Sequence, residues 1–534
     1  MSVLLLIAAA CTGATDSGDA PLATYRLTLA PVVPLDDNPL DSVDRIDLVL
    51  DSGVGEPVRV TLSAPASGDS ALAEGLPPLE SGLIRVEGYA EGELVAWGQT
   101  GSMTLVDGEI NATVFVSRPG GLAQLGNLPA EVAQGGGIAL GDGRFVIMGG
   151  AENRGSGMSD NPRGVDTLLL LDLGAPTAEL AFTEIDTLPA YVDTNGDDET
   201  ARRGFSVTRL TTGDAGKYLI AGGGESDGYS DASLLTADAR LFDPETLEFD
   251  DSLPDRDTLY TARTRHAALA NQQGGVLLWG GFGGASSSYF VTLGDGELYD
   301  PVERSFTQVV GLQEGGEPSS GALGVALADL GEDGILVAGG TRPIDNGGNA
   351  EWRPTDVSLR VSLRGEVEEI AGMDPVAGHA MVTLPDGDVL SFGGVSDNTT
   401  RTYLATGPAV KTVWRYRHSS EEWDEVGAMK LARAGHRAVL LDDTHVLVLG
   451  GAQQWGPTEY DNSALSCVEI YDAANDSSSM VGSCSADDDA GGLPARQQDP
   501  LVLYDPELGV LSIGGRDGDN GAVPQVGFFA VSHD

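Results

Sequence analysis

Gly435-His436-Arg437-Ala438-Val439-Leu440, then Val446 to Gly451, then Ile470-Tyr471-Asp472: three short apolar segments, the second closed by two glycines, decide how this chain folds. Each reads as a strand, since four to six apolar or alternating residues between turn residues are too few for a helix of ordinary length. The middle segment returns seven times, as Phe145 to Gly150, Tyr218 to Gly223, Val276 to Gly281, Ile335 to Gly340, Val389 to Gly394, Val446 to Gly451 and Val510 to Gly515. The diglycines begin at 149, 222, 280, 339, 393, 450 and 514, a spacing of 54 to 73 residues. Self-similarity at such a period marks a repeat architecture.

The units match at more than one place. After the diglycine come a variable loop and a strand ending in an aromatic residue and Asp, as in Leu241-Phe242-Asp243-Pro244 and Leu298-Tyr299-Asp300-Pro301. A fourth strand follows, as in Phe182 to Leu188, Phe306 to Val310 and Trp423 to Met429. This linked pattern resembles kelch repeats over about three-quarters of the chain. The resemblance implies an all-β fold, a seven-bladed kelch-type β-propeller over residues 119–534. Glycines at the strand end permit positive φ, and the large residue of the fourth strand is expected to cover the space they leave. The last unit has only three strands, Pro500 to Tyr504, Val510 to Gly515 and Val526 to Val531, so the segment 122–128 is expected to supply its fourth and remove an exposed edge.

Residues 22–118 read as short strands with turns between them, which fits a small β-sandwich domain of immunoglobulin-like or transthyretin-like type ahead of the propeller. Residues 1–21 read as a signal peptide with a tether: Val3 to Ala10 is apolar but too short to span a bilayer. Ala8-Ala9-Ala10-Cys11 resembles the lipobox of bacterial lipoproteins, which implies a lipid on Cys11 and a place in the cell envelope, as an outer-membrane lipoprotein or a secreted protein. Cys467 and Cys484 remain as a pair, open to a disulfide in an exported protein or to two half-buried thiols.

With 30 Lys and Arg against 81 Asp and Glu, the formal charge is −51. A surface of that sign excludes a sequence-independent grip on nucleic acid and leaves the membrane reachable only through a lipid anchor. Alternating strand directions put the loop after each diglycine and the connection between units on one face. These loops carry Tyr229, Phe282, Tyr289, Trp352, Arg353, Tyr403, Trp455 and Tyr460, aromatic groups among polar ones that suit a glycan or protein ligand. Tyr229, Tyr289, Trp352, Arg353, Trp455 and Tyr460 are the candidate ligand-binding residues. Asp193, Asn195, Asp197 and Glu199 place oxygens at alternate positions, as the first half of a calcium loop does, and are the candidate metal ligands.

His266, His379 and His436 share one place in the first strand of three units, which points to a structural role, and no nucleophile motif, phosphate loop or zinc cluster is present. The expectation is therefore a monomeric, non-enzymatic binding protein of the cell envelope, with calcium as its one candidate cofactor. Beside it stands an extracytoplasmic carbohydrate-active enzyme, since the resemblance extends to the copper-radical galactose oxidases and to a bacterial sialic acid mutarotase. The former need a cysteine crosslinked to a tyrosine plus histidine ligands to copper.

Overall fold

The computed structural model describes residues 3–4, 7–8, 23–31, 39–51, 56–63, 71–76, 79–100, 103–105, 109–129, 132–141, 143–152, 163–173, 181–225, 234–250, 258–284, 290–314, 317–318, 321–345, 350–396, 407–455, 463–482, 492–506, 508–517 and 522–531. Among them are strands, two short 3-10 helices at Pro39–Ser42 and Gly331–Asp333, and no α-helix. The described residues are all-β, built mainly from antiparallel four-strand sheets.

Among the described residues seven sheets contain a diglycine strand and are numbered here in chain order; six have four strands, and sheet 4 carries a fifth, Ala350–Pro354. Their first strands are Gly136–Ala139, Ser206–Arg209, Ala267–Ala270, Leu323–Asp329, Ala380–Thr383, Ala434–Leu440 and Leu501–Asp505. Each is followed by the apolar strand that runs up to the diglycine. In sheet 7 the outer strand is Leu122–Asn127, which pairs antiparallel with Gln525–Ala530.

The second strand is predominantly apolar because both of its faces are covered. In sheet 3, Leu278 joins the cluster shared with Leu219 and Leu241 of sheet 2, while Leu277 and Trp279 join Val337 and Leu359 of sheet 4. Similar clusters fill the other joints, ending with Leu511 and Ile513 of sheet 7 against Phe145 and Ile147 of sheet 1. Each such side chain, wholly withdrawn from water, stabilises by roughly 1.5–3 kcal/mol. The recurring Asp after the third-strand aromatic closes the turn to the fourth strand: Asp300 Oδ1 accepts from the Val302 and Glu303 amides, and Asp472 Oδ1 from Ala474 and Asn475.

The diglycines are explained by one joint repeated seven times. The second glycine donates its N–H to a carbonyl of the next sheet: Gly150 to Arg202, Gly223 to Arg263, Gly281 to Ala322, Gly340 to Val376, Gly394 to Arg433 and Gly451 to Gln497. Gly515 donates to Val132 of sheet 1, so the series returns to its start. Both glycines have positive φ in every sheet. A Cβ on the first would lie no farther than 2.7 Å from that same carbonyl oxygen, inside any real contact distance. Two demands, on dihedral angle and on space, thus coincide at one residue.

The covering group corrects one expectation. Leu188 and Met429, at the ends of fourth strands, lie over Gly149 and Gly393, but over three others the neighbour is a residue at the start of the next sheet, His266 over Gly222, His379 over Gly339 and Pro500 over Gly450, and over Gly280 and Gly514 it is backbone. Phe205 shares the space over Gly149 with Leu188.

Ahead of these sheets lie two others. Val58–Ser63, Arg45–Asp51, Leu79–Ala90 and Glu93–Gln99 form one, with Met103–Leu105 on Leu79–Ala90. The second centres on Ala23–Pro31, which pairs parallel with Glu109–Val116 and antiparallel with Ala71–Leu76. Val3–Leu4 and Ile7–Ala8, within the apolar run, pair with its strands. Trp97 belongs to the same buried cluster as Leu508 and Leu511 of sheet 7, so the two parts share a packed boundary.

Candidate active site

The first strands line a channel of about 540 Å³, a volume in the range of small-molecule sites. At the start of each first strand, two residues before it in five sheets and at its second residue in sheets 4 and 6, one residue has left-handed backbone. These are Gln134 (φ 59°), Gly204 (64°), Arg265 (54°), Gly324 (65°), Gly378 (67°), Gly435 (62°) and Asp499 (49°). Backbone hydrogen bonds of 2.7–2.9 Å link many of them in a circuit: Gly204 N–H to Gln134, Arg265 to Gly204, Gly378 to Gly324, Gly435 to Gly378 and Asp499 to Gly435. The residue before each ring position pairs with the residue after the diglycine, as Ala133 with Ala151 and Gln498 with Arg516, so the ring sits at the end carrying the long loops.

Four ring positions are glycine, as left-handed backbone favours. Gln134, Arg265 and Asp499 hold it with a side chain, at a cost of order 1–2 kcal/mol each, less for Asp. All three line the channel, and Arg437, one strand position farther, places its guanidinium 3.8 Å from the Asp499 carboxylate. A carboxylate, two guanidiniums and an amide thus gather at the channel mouth.

Below the ring, His379 and His436 are buried in the wall, 7% and 1% exposed. Burial depresses the His379 pKa to about 3. Burial, and then the charges of Arg433 and Arg437, hold His436 well below the usual imidazole range. Both are neutral at ordinary pH. His266 bonds through Nε2 to Ser206 Oγ across the joint, 2.9 Å away. These imidazoles therefore pack between sheets at the channel wall, with His266 and His379 resting on a neighbouring glycine.

Behind the ring, buried arginines hold the inter-sheet connections. Arg433 donates to Glu469 at 2.7 Å and to the carbonyls of Gly450 and Cys467, while Glu469 also accepts the Leu431 amide. Arg263 and Glu297 repeat the arrangement at 2.9 Å, with Glu297 accepting from Tyr260 and Thr261. In both pairs opposite charges meet inside the protein, as buried ions require, while Arg263 Nε and Arg433 Nε have no hydrogen-bond partner.

The residues singled out from sequence are dispersed. Tyr229, Tyr289, Tyr403, Tyr460, Cys11 and Cys484 lie outside the described residues. Trp352 and Arg353 fall on Ala350–Pro354, which pairs back onto the strand after the sheet 4 diglycine, and Arg353 is exposed. Trp455 pairs by its backbone with Gly407. Phe282, read as a loop aromatic, is fully buried against Leu323, because the residue after a diglycine is drawn into the joint. Cys467 is disulfide-bonded.

Asp193 is buried and spends Oδ1 on the amides of Asn195 and Asp197, closing the turn of a small hairpin in which Tyr191 pairs with Glu199. That is turn chemistry. Among the described residues no group of three or more His, Cys, Asp or Glu is placed to hold a metal ion. What sequence reasoning missed is the ring, whose residue types vary from sheet to sheet. Its one sequence signal is position, directly before the recurring His.

No protein-family model and no curated protein matches the chain. Among solved structures it is similar to a fungal alcohol oxidase of the AA5 family in complex with copper, at 14% identity and a TM-score of 0.50, over 77% of this chain and 76% of that one. It is also similar to YjhT, at 14% identity and a TM-score of 0.41, over 67% of this chain and 99% of that one. The first of these is an enzyme, which overturns the expectation of a non-enzymatic binding protein and favours the enzyme reading set beside it. Copper does not fit here: the described channel wall offers no tyrosine or cysteine, and Cys467 is already bonded. At this identity the likeness is one of fold, that of a kelch-like propeller.

Proposed function

We propose that this chain is a carbohydrate-active enzyme performing acid–base chemistry on a cyclic sugar at the ring end of its channel. The observation that carries this reading is the ring itself, where Gln134, Arg265 and Asp499 keep side chains in a backbone conformation that glycine occupies at the four equivalent positions. Leu247, Arg304, Glu421 and Asp476 hold the same angle in turns; what sets the ring residues apart is that they line a channel, where such strain points to use. Asp499 takes the proton of the anomeric hydroxyl and returns it to the ring oxygen as the bond from that oxygen to the anomeric carbon breaks. Closure on the other face of the aldehyde or ketone reverses the transfer, so the sugar changes anomer and nothing is consumed. Arg437 stands 3.8 Å from the Asp499 carboxylate and would help to orient it, and Gln134 offers an amide to a substrate hydroxyl.

Around this site we read seven blades, closed by 122–128 on the last, with a β-sandwich over 22–118 and an export segment at 1–21 whose lipid would sit on Cys11. Trp352, Arg353 and Trp455 belong to loops at the same end and would extend the site toward a larger glycan.

The test uses protein lacking residues 1–21 and a panel of reducing sugars, with anomer exchange followed by NMR. Acceleration that falls about 100-fold or more in Asp499→Asn supports the reading, since one general acid–base group contributes about 10²–10⁴-fold. No acceleration for any sugar defeats it. Peroxide formation on adding copper would redirect it to oxidation.

A further inference from the structure

The channel changes character below its mouth. A strand rises about 3.3 Å per residue, so the third residue past a ring position lies roughly 10 Å from it along the first strand. At that level Ala268, Leu327, Met381, Ala438 and Val502 line the channel, with Gly137 and Val207 in the same place in the other two sheets, and all seven are half-buried. None of them is charged, nor is the residue after each, in a chain of which 21% is charged. Leu327, Met381, Ala438 and Val502 pack on one side against the clusters between sheets. Charge on the described lining is confined to the mouth, to Arg265, Arg437 and Asp499. Each first strand ends its sheet, so the channel meets backbone N–H and C=O groups as well as alkyl side chains.

We infer that the substrate is an amphiphile: a reducing sugar that carries an aliphatic chain on an oxygen other than the anomeric one, its ring held at Asp499 and its chain running down the channel past Leu327 and Met381. This rests on the enzyme reading above and names its substrate class. Exchange of anomers needs a free anomeric hydroxyl, so the chain is attached elsewhere on the sugar, through an ether or ester oxygen that a strand-edge N–H can meet. The channel's volume of about 540 Å³ is that of a site for a larger molecule than one sugar ring. A chain laid against the apolar band releases water from both surfaces and gains about fourfold in affinity for each methylene buried. A hydroxylated sugar pushed to the same depth loses its water and finds no side-chain partner there.

The experiment gives the full chain the 6-O-methyl, 6-O-butyl and 6-O-hexyl ethers of glucose and follows anomer exchange by NMR and binding by calorimetry. Wild type is expected to gain about tenfold or more in kcat/KM from methyl to hexyl, mainly through KM, with little change between low and high salt. Leu327→Asn and Met381→Gln flatten that gain, urea unfolding confirming that each variant is folded, and Ala438→Leu, which narrows the channel without adding polarity, stops it at a shorter chain. Asp499→Asn keeps the tighter binding of the hexyl ether and loses turnover. Equal kcat/KM for the three ethers overturns the inference and leaves the enzyme reading standing. A gain with chain length that persists in both polar variants puts the chain outside the channel and also overturns it. Tighter binding of the hexyl ether that Leu327→Asn abolishes, without turnover of any ether by wild type, keeps the ligand class and defeats the enzyme reading.

Discussion

Among the residues of this molecule that adopt left-handed backbone, the diglycines and the ring treat side chains differently. At the diglycines the residue is glycine in every sheet. At the ring it is glycine in four and Gln, Arg or Asp in three. The dihedral angle alone therefore does not demand glycine. The difference lies in what surrounds the absent side chain: at the diglycine a carbonyl of the next sheet occupies its place, whereas at the ring the side chain turns toward the channel. Space enforces the first position, and the second is open to function.

The joint behind the diglycine should be the hardest part to disturb. Arg433 supplies both its carbonyl, to Gly394, and a buried guanidinium to Glu469. Glu469→Ala leaves that guanidinium unpaired in a site with no exposure and is expected to cost about 3–5 kcal/mol in urea unfolding. A loss below about 1 kcal/mol would mean that the backbone joint stands without its ionic support. Next, Gly280→Ala adds a methyl against the Ala322 carbonyl at a positive φ, with an expected cost of about 2–4 kcal/mol from strain and overpacking together. If Gly280→Ala is neutral, the contrast drawn here between the two sets is wrong.

A third effect, of about 2 kcal/mol per residue, comes from the imidazoles between the two sets. Their folded pKa values are lowered, so the unfolded chain binds more protons below pH 6.5 and stability falls with pH. The contribution is complete above pH 6.5 and declines toward pH 3, at about 1.4 kcal/mol per unit for each neutral histidine. Between pH 7 and pH 5, His379→Gln should lose less stability than wild type by about 2 kcal/mol. Parallel curves for the two proteins would show that His379 charges without resistance when folded.

The contrast between the sets also explains what the sequence could disclose. A position that admits only glycine writes itself into the sequence, and the seven diglycines, with the apolar strand before each, exposed the repeat and its kelch-like, all-β character. The third-strand Asp was visible for the same reason, since Asp300 and Asp472 do identical work. A position whose constraint is conformational leaves no such mark. Gln134, Gly204, Arg265 and Asp499 have nothing in common as residue types, so the ring emerges only when backbone angles are known. Aromatic loop residues drew attention by chemistry alone, and Phe282 is the case where that misled, because its neighbour Gly281 fixes it in a joint. Arg263 with Glu297 and Arg433 with Glu469 lie at nearly equal separations in two units, a signal that was present but has no motif to announce it.

The smallest expected effect is the most informative about function. Replacing Gln134 or Arg265 by Gly removes a side chain from left-handed backbone, which relieves about 1–2 kcal/mol in the folded state, while the freer unfolded chain takes back about 0.5–1 kcal/mol. Each variant should then be as stable as wild type or up to about 1 kcal/mol more so, and Arg265→Gly should lose sugar turnover. A residue retained at the expense of stability and needed for turnover is the signature of a site kept for use. If Arg265→Gly instead loses 2 kcal/mol or more, its side chain holds the sheets together, and the ring belongs with the diglycines as architecture.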